Sequence, residues 1–233
     1  MRDGGRIAAA ISVLEDFDRR KVPLKTAIAD WGQGARYAGA KDRAWISGLC
    51  LDVLRKRRSL AAAAGDERAR ATTLAALRRS WRMEVDAIDV AAKEEHGFGA
   101  LSDSEREMLE APAPTPSADP SVAGDFPAWL SPMMARAFGD DAAAEGEALS
   151  ARADVDLRLN TLKATPEKAL AALTSVGGVA HPFVRTAARI AAPDAADRAP
   201  TVTVIPAFNK GWVEVQDLGS QIAAAAAGEV KGR

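Results

Sequence analysis

Seven basic residues, Arg36, Lys41, Arg43, Arg55, Lys56, Arg57 and Arg58, lie between positions 36 and 58 against two acids, Asp42 and Asp52. A run of this kind can meet a phosphate backbone through charge, with an affinity that salt weakens. It can equally be a solvated helix end, where Lys56, Arg57 and Arg58 complement the negative pole of the helix dipole and Lys41 and Arg43 flank a helix start. A second polar set sits in "LRLNTLK": Arg158 and Asn160 share one strand face, opposite Leu157 and Leu159, and Lys163 follows. That face can rest on phosphates or be the wet side of a sheet. A third set, Gln216, Asp217, Ser220 and Gln221 in "VEVQDLGSQ", ends a strand, and Asp217 or Ser220 can cap the helix that follows.

Groups suited to covalent catalysis are few. The single cysteine, Cys50, excludes an internal disulfide and a cysteine-rich zinc site, and its place on an apolar helical stripe predicts a buried, inert thiol. His96 follows Glu94 and Glu95, but adjacent helical residues do not share a face, so no metal site is expected there. His181 precedes Pro182 and belongs to extended chain. Neither histidine joins a nucleophilic triad.

The elements that must position these residues fall into two styles. Over the first 110 residues apolar side chains recur at spacings of three and four: Ile7, Ala10, Ile11, Leu14 and Phe17; Leu24, Ile28 and Trp31; Trp45, Ile46, Leu49, Val53 and Leu54; Leu74, Leu77 and Trp81. Ser102 with Glu105 has capping-box spacing and predicts a helix over 103–110. "APAPTPSADPSVAGDFP" then reads as a linker or extended strap and places the domain boundary at 111–126. Beyond it, "PAWLSPMMARAFG" and "DAAAEGEALSA" read as helices and "VDLRLNTLK" as a strand. Thr165-Pro166 starts a helix running through Leu170 and Leu173 that Gly177-Gly178 stops. "GVAHPFV", "TVTVIPAF" and "GWVEVQ" are further strand candidates. The expected architecture is mainly α and multidomain: an all-helical bundle over 1–110, the linker, and a small α+β domain over 127–233.

The bulk numbers agree with a globular chain. Apolar residues make up 48% and charged residues 27%, aromatics only 5%, and the net charge is −1, so any attraction to nucleic acid must be local. No apolar run reaches the ~18 residues of a membrane helix and the first twenty residues are interrupted by charge, which predicts a soluble cytoplasmic protein without membrane contact.

Three patches resemble the RsmB-like (Sun or Fmu) RNA cytosine-5 methyltransferases: "FNKGWVEVQDLGSQIAAAAAG", "DLRLNTLKATPEKALAAL" and, in the helical part, "GAKDRAWISGLCLDVLRKRR", joined by "PAWL" and "FGDDAAAEGEAL" in the same order. The resemblance implies a NusB-like helical domain, a ferredoxin-like α+β domain that contacts RNA, and then a Rossmann-like catalytic domain that binds S-adenosylmethionine. It places Gln216, Asp217, Ser220 and Gln221 beside that catalytic domain, and it makes Arg158, Asn160, Lys163, Lys41, Arg43, Lys56, Arg57 and Arg58 candidates for RNA contact. The family's glycine-rich cofactor loop and its two cysteines, in Pro-Cys and Thr-Cys contexts, have no counterpart in "EVKGR" after Gly228.

The expectation is therefore the substrate-recognition portion of an enzyme acting on ribosomal RNA, 16S in particular. It would be inactive alone, without bound S-adenosylmethionine, monomeric and indifferent to DNA. The alternative is a non-enzymatic NusB-like RNA-binding module in transcription or ribosome assembly, which accounts for 1–110 but leaves "LRLNTLK" and "VEVQDLGSQ" without a reason.

Overall fold

A computed structural model describes residues 1–195 and 202–228. The chain divides into two compact units, the first holding Met1–Ala151 and the second beginning at Arg152.

The first unit is helical. Helices α1 (Asp3–Arg20), α2 (Leu24–Gly34), α3 (Ala40–Arg55), α4 (Arg57–Ala64), α5 (Ala69–Arg79), α6 (Val85–Ala92) and α7 (Asp103–Glu110) follow one another. Ile7, Ala10, Ile11 and Leu14 of α1 meet Ile46, Leu49, Cys50 and Val53 of α3 and Leu74 and Leu77 of α5 in one core, because stripes at helical period bury only when they face each other. α1 also packs on α6, and Gly4 permits it: a Cβ there would lie 2.1 Å from the Ala91 carbonyl oxygen. Trp81 lies beyond the end of α5, where its ring meets Trp45 edge-on at 4.7 Å and its indole N–H donates to Asp52 Oδ2 at 2.9 Å. α7 starts as its capping box predicts: Glu105 N–H donates to Ser102 Oγ at 3.2 Å and Ser102 N–H to Glu105 Oε2 at 2.8 Å.

The proline-rich segment is only half a strap. Residues 111–118 are exposed and irregular, but the chain then forms the short helix α8 (Pro120–Ala123) and docks on α4. Arg58 donates to the Ser121 carbonyl and hydroxyl at 3.1 and 3.0 Å, and Ser59 donates to both Asp125 oxygens at 2.8 and 2.6 Å. α9 (Ser131–Phe138) and α10 (Ala142–Ser150) complete the unit around Phe126, Leu130, Met134 and Ala142. The two compact units divide at 151/152, so the chain after the 111–126 segment packs with the helices before it as far as Ala151. Proline content reports missing amide donors, whereas Ser121 and Asp125 anchor the segment through side chains.

The second unit runs β1 (Val155–Leu159), α11 (Pro166–Ala171), β2 (Gly178–Ala180), β3 (Ala187–Ile190), α12 (Pro206–Asn209), β4 (Val213–Val215) and α13 (Leu218–Ala226). The sheet order is β2-β3-β1-β4 with every pairing antiparallel, the βαββαβ topology of a ferredoxin-like fold. Val155 faces Ile190, Leu157 faces both Ala188 and Val215, and Leu159 faces Val213. Leu157, Leu159, Ala188, Ile190 and Val213 are buried with Ala169, Leu173 and Ile205 beneath one face.

Several sequence expectations are corrected here. "TVTVIPAF" is no strand among its described residues: 202–204 form a 3-10 turn and 206–209 form α12, because Pro206 lacks an amide proton and fixes φ for a first helical turn. Thr201 lies outside the described residues, as does "EVKGR" from residue 229 on. "GVAHPFV" keeps strand geometry only over 178–180. α11 ends at Ala171, short of Leu173, and a 3-10 turn carries the chain to Gly177 at φ +74°. β3, "AARI", escaped the sequence pattern because two alanines give no alternation; pairing on both sides makes it a strand.

Candidate nucleic-acid interface

The open face of the sheet carries Asp156 and Arg158 from β1, Arg189 from β3 and Glu214 from β4, since alternate residues face away from the buried Leu157, Leu159, Ile190 and Val213. Arg158 donates through Nε to Gln216 Oε1 at 2.7 Å and pairs with the Glu214 carboxylate. Arg189 donates to both oxygens of Asp156 at 2.7 and 3.1 Å and pairs with Asp154 at 3.3 Å. The face is a self-satisfied ion network in which acids match the two arginines. Burial and pairing also act on Asp156: the Arg189 guanidinium, and after it the Leu218 N–H, hold its carboxyl below the usual aspartate range.

This network binds the third sequence patch to the first strand. Gln216 N–H donates to the Asp156 carbonyl at 3.1 Å, and Leu218 N–H donates to Asp156 Oδ2 at 3.2 Å. Asp217 caps α13 by accepting from Ser220 N–H at 3.0 Å, and Gln221 Nε2 donates to the Gln216 carbonyl at 2.9 Å. Gln221 is buried, and its Oε1 accepts no hydrogen bond among the described residues. Arg158, Gln216, Asp217 and Gln221 are thus brought together, and their polar groups are largely engaged with the chain itself. Asp156 is the residue that sequence inspection missed, although β1 alternation places it on the same face as Arg158.

Asn160 and Lys163 leave the face. Asn160 Oδ1 accepts from Leu162 N–H at 3.2 Å, shaping the turn after β1, and exposed Lys163 lies over Gly211, where a Cβ would sit 3.0 Å from its Nζ.

In the helical unit, Arg43 is a structural clamp: it donates to the carbonyls of Ala38, Gly32 and Ala35 at 2.9, 2.7 and 3.0 Å and closes the turn between α2 and α3. Arg57 is bidentate with Asp18 at 2.6 and 2.8 Å, and Arg58 holds Ser121. Lys41 is exposed and Lys56 lies near Asp125. The run is therefore less available to a polyanion than its count suggests.

Cys50 is fully buried; its thiol lies 3.6 Å from the Ala10 carbonyl, and burial pushes its pKa up to about 12. His96 stands in a turn after α6, and among the described residues no cluster of His, Cys, Asp and Glu could hold a metal ion. A cavity of about 650 Å³ beside Tyr37 and His96 is lined by the first unit. Around Gln216–Gln221 the backbone and side-chain donors described are engaged within the chain.

Residues 126–196 match the ferredoxin-like domain of RsmF/B-like methyltransferases. The matched segment begins at Phe126, within the first compact unit, and reaches through β1, β2 and β3 of the second. The chain is also similar to a solved structure titled "Crystal Structure of PH0851", with a TM-score of 0.53 and 18% identity over 97% of this chain, a likeness of fold. It spans 56% of the length of that structure. No curated protein matches the chain. Among the described residues no helix is long and apolar enough to cross a membrane.

Proposed function

We propose that this chain is the RNA-recognition portion of an S-adenosylmethionine-dependent cytosine-5 methyltransferase acting on ribosomal RNA, 16S in particular, with a NusB-like first unit. The observation that carries this reading is the match of residues 126–196 to an RsmF/B-like ferredoxin-like domain, together with a βαββαβ sheet of the matching type. A methyltransferase that modifies one base sees little beyond that base in its pocket, so a separate surface must choose the RNA. Basic side chains on such a surface contribute backbone contacts and orient the substrate.

Methyl transfer itself lies outside the 233 residues. Cytosine C5 becomes nucleophilic when a thiolate adds to C6, and the sole cysteine here, Cys50, is buried with its pKa near 12. S-adenosylmethionine would accordingly be bound by the catalytic portion of the enzyme, with Gln216–Gln221 at its border, and not by this chain.

Filter binding of the purified chain to ribosomal RNA fragments over a salt series tests this reading. The logarithm of the affinity should fall linearly with the logarithm of salt concentration, and labelled S-adenosylmethionine should transfer no methyl group to the RNA. Absence of any salt-sensitive affinity would sink the recognition role, and methyl transfer by this chain would sink the division of labour.

A further inference from the structure

One end of the second unit's sheet gathers four cations against one acid, Glu167. At that end Leu159 N–H donates to the Thr186 carbonyl at 2.7 Å and Asn160 N–H to the Trp212 carbonyl at 2.8 Å, so the loops 160–165, 181–186 and 209–212 leave the sheet side by side. They bring Lys163, Arg185 and Lys210, and the first turn of α11 adds Lys168; all four are exposed. Lys168 Nζ stands 4.5 Å and Lys210 Nζ 4.9 Å from the centroid of the Trp212 ring, while Lys163 lies over Gly211, whose φ of +67° keeps the loop tight. The ring quadrupole, not a counter-ion, holds the two ammonium groups. Across these loops and that turn the sole acid is Glu167. The hairpin loop also presents Phe183, 88% exposed, edge-on to His181 at 5.8 Å.

Uncompensated cations crowded around one indole repel one another unless a polyanion lies across them. An aromatic ring left bare beside them offers a stacking surface that every base can use. Duplex RNA hides its base faces and would leave Phe183 idle, whereas an unpaired strand uses the ring and the charges together. The ion-paired open face provides neither. We propose that the loop end of the sheet is where the second unit takes single-stranded RNA, with Lys163, Lys168, Lys210 and Arg185 on the backbone and Phe183 against an unstacked base. This rests on the RNA-recognition reading above and locates the contact within it.

The test uses the full chain with a labelled single-stranded RNA of about 12 nucleotides and a duplex of similar length. The chain should prefer the single strand. Phe183→Ala should weaken single-strand binding about 5- to 150-fold and leave duplex binding unchanged. The Lys163→Glu/Lys210→Glu double variant should reduce the salt slope by about 1.4, the value for two lost contacts to a single strand. Circular dichroism checks that each variant is folded. If the parent chain binds RNA and both variants bind it equally well, the contact is elsewhere and this inference fails while the functional reading stands. A duplex preference unaffected by Phe183→Ala overturns it likewise. No salt-sensitive RNA binding by the parent chain overturns both.

Discussion

Asp156 is the hub of the second unit at the scale of single residues. It accepts from Arg189 on β3 and from the backbone of Leu218, so one carboxylate ties two strands and the entry to α13. Its depressed pKa has a definite consequence for stability. A carboxyl held below its ordinary value of about 3.9 stabilises the fold above that pH, and the contribution disappears as pH falls through the depressed value. Asp156→Asn should therefore lower stability at about pH 7 by roughly 1 kcal/mol, a modest figure because Arg189 is partly solvated. The gap between parent and variant in urea titrations should shrink by about pH 3. An equal gap at both pH values would show that charge is not what Asp156 contributes. Alternation made Arg158 legible as an outward side chain, yet nothing in "LRLNTLK" announces that Glu214 and Gln216 occupy its guanidinium. Those partners lie more than fifty residues downstream, and only strand pairing delivers them.

At the scale of elements, local chemistry was the reliable guide. The capping box at Ser102 and Glu105 and the Thr165-Pro166 start both form as spacing predicts, because each satisfies free amides within one turn. Ser102→Ala should cost about 1 kcal/mol, read as a lowered thermal midpoint, and Ser102→Asp should restore most of it. Loss in both variants alike would mean that the Glu105 contact to Arg70, at 2.6 Å, carries the turn instead. Elements whose state depends on neighbours were not legible. β3 has alanines where a strand pattern needs large apolar residues, and 202–209 has a strand-like composition that Pro206 and burial of Val202 and Ile205 turn into helical turns.

For the molecule as a whole, the docking of 119–125 on α4 decides where the first unit ends. A polypeptide of residues 1–151 should unfold at a higher temperature than one of residues 1–110. The shorter piece loses the partners of Arg58 and Ser59 and the buried Ser121. Equal midpoints by circular dichroism would show that the strap adds nothing to the bundle. The division at 151/152 also means that the family match at 126–196 draws on both compact units.

Short-range periodicity and composition were enough to read the helical segments at the start, the capped helix beginnings, the mainly α then α+β order and the inertness expected of Cys50. Tertiary structure alone decided which cations remain available. Arg43, Arg57, Arg58 and Arg158 found partners through folding, while Lys168 and Lys210 were drawn around Trp212 and Lys163 over Gly211 at one end of the sheet. A charge is written in the chain, but its counter-charge is supplied by whatever the fold brings within a few ångströms, and that distance is not encoded at any single position.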